Sequence, residues 1–457
     1  MMTSAAPEKL TLDEALTSAR ETRALLVAPG ALRETARIFR DQFPGRRALV
    51  IADAHTMPLA GRTVEQALAV AGIGLEPALI LDDPALYAEL RFVEQVEAAL
   101  RRHDAIPVAV GAGTVNDLVK LAAHRTGREG YLCVATAASM DGYTAFGASI
   151  TINGAKQTFD CPAPRAVVAD LDLIRGAPAE MTAAGYADLF AKITAGADWI
   201  LAEALGAEPI DARAWTIVQG GLRGALANPA GARAGEPRAL ALLVEGLMLG
   251  GFAMQWTKNS RPASGAEHQF SHLWDMEHHT HRGEAPSHGF KVGLATLAVT
   301  SLYEWLLAQP FDQLDIERCA ERWPTAAEAN TETHRMFAGD DFLATALKET
   351  AAKHITRDDL RTQLGRLRAH WPATRARLAA QLLPLAEARR RLRAVGAPTE
   401  PEAIGLTRAR LRASFLRAQH IRRRFTVLDL AVRTATLEPA LEALFGAGGA
   451  WADPVSP

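Results

Sequence analysis

The sequence has few cysteines and almost no net charge, and both absences narrow what the protein can be. Its three cysteines are odd in number and stand far apart, at Cys133, Cys161 and Cys319. That spacing suits neither a disulfide framework nor a zinc finger, so we expect a reducing, cytoplasmic location. The 50 Lys and Arg residues nearly balance the 52 Asp and Glu residues. We therefore expect no nucleic acid or anionic membrane as partner, because neither would be attracted.

Long apolar runs are also missing. No stretch approaches about eighteen uninterrupted apolar residues, and the opening MMTSAAPEKLTLDEAL lacks the basic patch and apolar run of a signal peptide. We therefore expect a soluble protein with no membrane partner. Apolar residues still make up 49% of the 457 residues, so a large core can form, and the length predicts two or three domains.

The first third of the chain alternates short apolar runs with segments of helical periodicity. The runs are ALLVAP from Ala24, ALVIAD from Ala48, PALILDD from Pro77, IPVAVG from Ile106 and YLCVATAAS from Tyr131. This alternation predicts a doubly wound parallel sheet. From about residue 173, long stretches rich in Ala, Leu and Arg follow, with few strand patterns. The predicted fold class is α/β, with a nucleotide-binding domain over residues 1–172 and an all-α metal-binding domain over residues 173–457.

A glycine turn follows one of the predicted strands. In IPVAVGAGTVNDLVKLAAH, Gly111 and Gly113 precede a helix that begins near Thr114. Glycines and a helix N-terminus together can hold a pyrophosphate, although an ordinary tight turn explains the pattern equally well. Asp53 ends the strand ALVIAD, where a carboxylate can bind the adenine ribose and favour NADH. The alternative role for Asp53 is to cap a helix or to form a turn.

A second loop follows the strand that begins at Tyr131. Asp141 lies in this loop, and open α/β sheets bind ligands at the carboxyl ends of their strands, so Asp141 could contact a substrate hydroxyl. A turn-forming aspartate before glycine is the alternative. Farther along, the pair Asn153-Gly154 predicts a β-hairpin.

The third informative region is dense in histidine. His268 and His272 are four residues apart and share one face of a predicted helix. Together with a carboxylate such as Asp188, two histidines offer a metal site with an open position for a substrate oxygen. Spacing alone does not choose which histidines bind. The histidines of this region are His268, His272, His278, His279, His281 and His288.

Five motifs carry a resemblance to a known family. GAGTVND, TAASMDGYT, GYADLFAK, SRPASGAEHQFSH and SHGFKVG occur in this order and together resemble the iron-containing alcohol dehydrogenase and dehydroquinate synthase superfamily. Within it the chain most resembles the sn-glycerol-1-phosphate dehydrogenases, and the segment RRRFTVLDLA near Arg424 extends the likeness to nearly the whole chain. The resemblance implies that an α/β nucleotide-binding domain packs against a helical domain, with metal and nicotinamide in the cleft between them.

The resemblance also implies a role for particular residues. It assigns one divalent metal ion, zinc with nickel or iron as alternatives, to Asp188, His268 and His288, and places His272 beside the nicotinamide as a proton relay. These four are the predicted catalytic residues. For NAD(H) or NADP(H) it implies contacts from Gly111, Gly113, Thr114, Asn116, Asp117, Thr136 and Ser139. For the substrate it implies Asp141, with Lys192 and Arg261 as phosphate ligands.

The activity implied is the reversible reduction of dihydroxyacetone phosphate to sn-glycerol 1-phosphate by NAD(P)H, in a homodimer or larger oligomer. Two departures from the family pattern stand out: Ala112 replaces a common glycine, and Ala145 replaces a serine after DGYT. The alternatives are a glycerol dehydrogenase, a dehydroquinate-synthase-like lyase with no net redox change, and a catalytically inactive nucleotide sensor.

Overall fold

A computed structural model of the chain describes residues 9–152 and 155–453. The strands within these ranges are β1 (Ala24–Ala28), β2 (Ala48–Asp53), β3 (Leu79–Leu81), β4 (Ile106–Gly111), β5 (Leu132–Ala135), β6 (Ala148–Ile152), β7 (Ala155–Phe159) and β8 (Ala166–Asp170).

Six of these strands form one parallel sheet in the order β1-β8-β5-β4-β2-β3. Its central strands are apolar and buried almost throughout, as a sheet covered on both faces requires. The predicted parallel sheet is therefore confirmed. β8 is absent from the predicted strands, because AVVAD follows a hairpin and breaks the alternation of strand and helix.

The predicted hairpin is also present. β6 and β7 pair antiparallel, with Ile152 opposite Ala155 at the closed end. The turn residues Asn153 and Gly154 lie outside the described residues.

Helices pack around the sheet and then make up the rest of the fold. Those up to the end of the sheet are α1 (Leu12–Leu16), α2 (Thr35–Gln42), α3 (Arg62–Val70), α4 (Leu90–Leu100), α5 (Gly113–Arg125) and α6 (Leu171–Arg175). Those that follow are α7 (Ala179–Phe190), α8 (Lys192–Leu205), α9 (Ala212–Gln219), α10 (Leu222–Ala225), α11 (Pro229–Arg233), α12 (Pro237–Thr257), α13 (Ala266–Met276), α14 (His288–Leu307), α15 (Ile316–Arg322), α16 (Ala326–Met336), α17 (Leu343–Lys353), α18 (Arg357–Gln381), α19 (Leu385–Val395), α20 (Arg408–Arg417), α21 (Val427–Arg433) and α22 (Leu437–Phe445).

The change from sheet to helices falls close to the expected position. β8 ends at Asp170, and residues 171–453 contain no further strand. The helical character of the C-terminal part is thereby confirmed, while the domain boundary at residue 172 stays a prediction.

Two of the helices, α12 and α14, are long and apolar enough to cross a membrane by length and composition alone. Their most apolar windows are 67% and 78% buried inside the fold. They are therefore explained as core helices, which need apolar residues on all sides.

Candidate active site

Three helices bring the predicted metal ligands together. Asp188 lies on α7, His268 on α13, and His288 is the first residue of α14. One possible ligand atom from each of the three residues lies within 4.8 Å of the other two. Asp188 is fully buried and His268 is 6% exposed, and His268 Nε2 lies 3.6 Å from Asp188 Oδ1. These residues, far apart in sequence, form one cluster in the fold.

Two glycines permit the close packing that this cluster needs. A Cβ on Gly185 of α7 would lie 1.9 Å from the carbonyl oxygen of Ala138, in the loop after β5. A Cβ on Gly289 of α14 would lie 2.0 Å from the carbonyl oxygen of Ala184. α7 is therefore pressed against that loop and α14 against α7, which sets Asp188 and His288 at the carboxyl edge of the sheet.

Lys192 connects two carboxylates of the site. Its Nζ lies 2.7 Å from Asp188 Oδ1 and 2.7 Å from Asp141 Oδ2, and the backbone N–H of Asp141 donates to Asp188 Oδ2. Burial alone raises the pKa of Asp188, but the charge of Lys192 and a hydrogen bond from His268 hold it well below its usual range. Asp188 is therefore ionised, as a metal ligand must be.

Glu267 orients the first histidine. Its Oε1 lies 2.8 Å from His268 Nδ1, and its Oε2 accepts a hydrogen bond from the Thr194 hydroxyl. A carboxylate on Nδ1 fixes the imidazole tautomer and leaves Nε2 free to bind a metal. Glu267 was not among the predicted site residues, although its position directly before His268 was an available signal.

The charges of the site suit a divalent cation. Asp188 and Glu267 are fully buried and the side chain of Asp141 is 14% exposed. Lys192 is the ammonium group that Asp188 and Asp141 share, while Glu267 pairs with His268 Nδ1. Buried carboxylates need compensating charge. Two imidazoles and one carboxylate are also a donor set that zinc, nickel and iron accept. The residues present therefore fit a metal ion.

His272 lies beside this cluster. It is one helical turn after His268 on α13, as predicted, and the two ring centroids are 6.4 Å apart. Its ring centroid is 6.1 Å from that of His288. His272 faces the same cleft without belonging to the three-residue cluster; its place beside the nicotinamide stays a prediction.

A cleft of about 440 Å³ opens between the sheet edge and the helices. Of the residues predicted to bind cofactor, substrate or metal, those that line it are Gly113, Thr114, Asp117, Ser139, Asp141, His268, His272 and His288. Gly113 is the first residue of α5, so the glycine turn and the helix N-terminus face the cleft, as an anion site requires.

Other residues predicted to bind cofactor make structural contacts instead of lining the cleft. A Cβ on Gly111 would lie 2.5 Å from Val115 Cβ, so this glycine allows β4 and α5 to pack. Asn116 accepts a hydrogen bond from the Tyr131 hydroxyl. Thr136 is buried, and its N–H donates to Gly111 O. Cofactor binding by these residues stays a prediction.

Asp53 has the contacts of a turn aspartate. Its Oδ1 accepts hydrogen bonds from the backbone N–H groups of His55 and Thr56, at 2.8 and 2.7 Å. This is the alternative that the sequence left open. The residue still ends β2, next to β4 in the sheet, so ribose binding through its second oxygen stays a prediction.

The fold accommodates both residues that depart from the family pattern, Ala112 and Ala145. Ala112 has φ −82°, which suits a residue with Cβ. Ala145 lies in the loop that Lys120 holds: the buried Nζ donates to the carbonyl oxygens of Gly142, Ala145 and Gly147. Lys120 was not among the predicted site residues, and its only signal in the sequence is a charge on the buried face of α5.

The two predicted phosphate ligands do not line the cleft, and phosphate binding by them stays a prediction. Lys192 lies between carboxylates, as described above, and neither it nor Arg261 is among the described residues that line the cleft. Arg261 donates to the carbonyl oxygens of Phe425 and Asp198 and pairs with Glu208. Another arginine, Arg422, lines the cleft instead. It is part of the segment RRRFTVLDLA, for which no binding role was predicted.

Comparison with known proteins agrees with this architecture. The family model for iron-containing alcohol dehydrogenases matches residues 26–178. A glycerol-1-phosphate dehydrogenase [NAD(P)+] from Methanosarcina barkeri is 34% identical over 284 residues, which cover 62% of this chain and 76% of that protein. The chain belongs to the iron-containing alcohol dehydrogenase family. The cluster of Asp188, His268 and His288, which could hold a metal ion, thus occurs in a member of a family that is named for a metal.

Another relative and a solved structure show how far the likeness extends. A glycerol-1-phosphate dehydrogenase [NAD(P)+] from Halalkalibacterium halodurans is 35% identical over 257 residues, covering 56% of this chain. The match spans 64% of the length of that relative. Among solved structures, glycerol dehydrogenase from Schizosaccharomyces pombe superposes with a TM-score of 0.58 at 14% identity, over 96% of this chain and 92% of that one. This structural likeness shows the shared fold.

Proposed function

We propose that the protein is an NAD(P)-dependent, metal-dependent dehydrogenase that reduces dihydroxyacetone phosphate to sn-glycerol 1-phosphate. The observation that carries the proposal is the cluster of Asp188, His268 and His288, whose two histidines line the same cleft as the glycine turn at the start of α5. A metal-polarised carbonyl and a nicotinamide need to meet in such a place. The names of the relatives in Methanosarcina barkeri and Halalkalibacterium halodurans support this choice of substrate.

For the cofactor, we assign NAD(H) or NADP(H) to the sheet side of the cleft. The N-terminus of α5, with Gly113 and Thr114, would bind the pyrophosphate through backbone N–H groups. Ser139, in the loop after β5, would contact the nicotinamide half, because that loop runs from the sheet toward the metal ligands.

The metal ligands would be Asp188, His268 and His288. A divalent ion held there supplies a Lewis acid for the ketone oxygen. Lys192 keeps the carboxylate of Asp188 ionised, and Glu267 holds the His268 imidazole in the tautomer that binds through Nε2. An imidazole nitrogen of His272 would pass a proton to the product oxygen, since its ring lies beside the cluster and faces the cleft.

The direct test is oxidation of NADH and NADPH in the presence of dihydroxyacetone phosphate, with metal content measured on the same sample. We expect one divalent ion per chain, steady consumption of reduced cofactor and sn-glycerol 1-phosphate as the product enantiomer. A preference for dihydroxyacetone over its phosphate would make the protein a glycerol dehydrogenase. Product formed without net consumption of NAD(P)H would make it a lyase.

The metal site has its own test in a matched pair of variants. His268→Ala removes a proposed ligand, so both the metal and the activity should be lost. His370→Ala changes an exposed histidine on α18 and should retain both. Full turnover by a metal-free His268→Ala protein would contradict the assignment.

A further inference from the structure

We propose that Arg422, with the hydroxyl group of Ser264, binds the phosphate group of the substrate. The proposal rests on the proposed function and names the residues that would distinguish a phosphorylated ketone from an unphosphorylated one. It differs from the sequence prediction, which assigned the phosphate to Lys192 and Arg261. In the structure, Lys192 pairs with two carboxylates, and Arg261 pairs with Glu208 and donates to two carbonyl oxygens.

Arg422 lines the cleft, and no carboxylate pairs with its guanidinium in the part of the chain that the structure describes. It lines the same cleft as His268 and His272. Across residues 9–152 and 155–453, its guanidinium has no hydrogen bond, ion pair or aromatic contact. Glu349, whose charge acts on Arg422, is itself paired with Arg423 at 2.9 Å. Because a partly buried guanidinium is stabilised by a hydrogen-bonded anion, this arrangement indicates a negatively charged ligand.

Ser264 supplies an independent second observation. Its residue surface is 3% exposed, and its Oγ has no hydrogen-bond partner in the part of the chain that the structure describes. It also lines the cleft. Buried hydroxyl groups are normally paired, so an orphaned one at a cleft indicates a ligand that accepts or donates a hydrogen bond there.

The fold holds these two residues on neighbouring segments. Arg424 donates to the carbonyl oxygen of Ser264 at 2.7 Å and to the Ser260 hydroxyl at 2.8 Å. Arg261 donates to the carbonyl oxygen of Phe425 at 2.9 Å. Each of the segments 259–264 and 422–425 therefore donates hydrogen bonds from an arginine to the other segment. Arg261 thus supports the anion site without touching the anion.

The chemistry of the pair suits a phosphate monoester close to the metal. A guanidinium can donate two parallel hydrogen bonds to phosphate oxygens, and a serine hydroxyl can donate to a third. Ser264 precedes His268 by four residues, and Ser264, Arg422 and His268 line the same cleft. A three-carbon ketone is short, so its phosphate must be bound near its carbonyl.

The test compares dihydroxyacetone phosphate with dihydroxyacetone as substrates of the metal-loaded enzyme. In Arg422→Gln, the ratio of the two kcat/KM values should fall by about 100-fold or more, because charge-assisted hydrogen bonds to the phosphate are lost. Ser264→Ala should lower the same ratio by about 10-fold, as expected for one neutral hydrogen bond. Arg423→Gln removes the same charge from the neighbouring residue, which is paired with Glu349, and should leave the ratio within about twofold.

Three results would overturn the proposal: an unchanged ratio in Arg422→Gln, an equal loss with both substrates, or a raised KM for NAD(P)H with unchanged substrate selectivity. The last would place Arg422 on the cofactor. Calorimetry with inorganic phosphate provides a readout that needs no turnover: wild type and Arg423→Gln should bind it, and Arg422→Gln should not. If wild type reduces neither ketone while phosphate binding still depends on Arg422, the proposed function fails and the anion site stands.

Discussion

At the scale of single residues, the chemistry of the site depends on how each charge is paired. Asp188 is flanked by Lys192 at 2.7 Å and by His268 at 3.6 Å. Burial lowers the pKa of His268, but hydrogen bonds to Asp188 and Glu267 outweigh it and raise that pKa. Wherever the imidazole is protonated, a metal must displace that proton, so metal binding should weaken as pH falls.

Glu267 is predicted to strengthen metal binding through its contact with His268 Nδ1. Glu267→Gln keeps the shape of the side chain but removes the carboxylate from His268 Nδ1, and we expect metal affinity to fall by about 10–100-fold. Competition with a chelator measures this directly. Glu94→Gln, an exposed glutamate on α4, is the control. A metal affinity within twofold of wild type would show that Glu267 does not position the ligand.

At the scale of helices and strands, close backbone contacts decide whether the site forms. α7 touches the loop after β5 because Gly185 has no Cβ, and α14 touches α7 because Gly289 has none. Larger side chains at these positions would separate the elements that carry Asp188, Asp141 and His288. The cluster is therefore a product of helix packing as much as of its own side chains.

Gly185→Ala tests this packing. The new Cβ would collide with backbone atoms of Ala138, which cannot rotate away, so we expect a loss of about 1–3 kcal/mol in the free energy of unfolding and weaker metal binding. Gly365→Ala is the matched control. Nothing lies within 4 Å of its added Cβ on α18, and it should stabilise the helix by up to about 1 kcal/mol. Urea unfolding measures both, and equal effects would contradict the account.

At the scale of the whole molecule, one partly buried histidine links stability to pH. Burial, and then the charge of Lys353, lower the pKa of His420 from 6.5 to about 4. Its ring packs against Phe337, and its Nδ1 lies 2.8 Å from the Thr350 hydroxyl oxygen. Between these two pKa values the folded chain binds fewer protons than the unfolded chain. Stability is thus fully present above pH 6.5 and is lost as pH falls toward 4.

The corresponding prediction compares wild type with His420→Gln. Wild type should lose up to about 3 kcal/mol more than the variant between pH 6.5 and 4, since each pKa unit corresponds to about 1.4 kcal/mol. Chemical denaturation at several pH values gives the difference. Parallel pH curves for the two proteins would show that His420 does not carry this dependence.

The sequence by itself determined most of the local structure. Apolar runs such as IPVAVG predicted strands, and the four-residue spacing of His268 and His272 placed both on one helix, because side-chain periodicity follows backbone geometry. The sequence did not reveal β8, because its short run AVVAD follows a hairpin and so breaks the alternation of strand and helix. The choice of Asp188, His268 and His288 came from a resemblance to a family, since spacing alone did not select among the histidines.

Only the tertiary structure decided which distant residues meet. Lys192 and Arg261 carry the charge expected of phosphate ligands, but packing places one between two carboxylates and the other beneath the segment 422–425. Arg422, which no local pattern marked, lies in the cleft. Periodicity records the direction of a side chain relative to its own helix or strand. Which partner that side chain meets is set by how elements far apart in sequence pack.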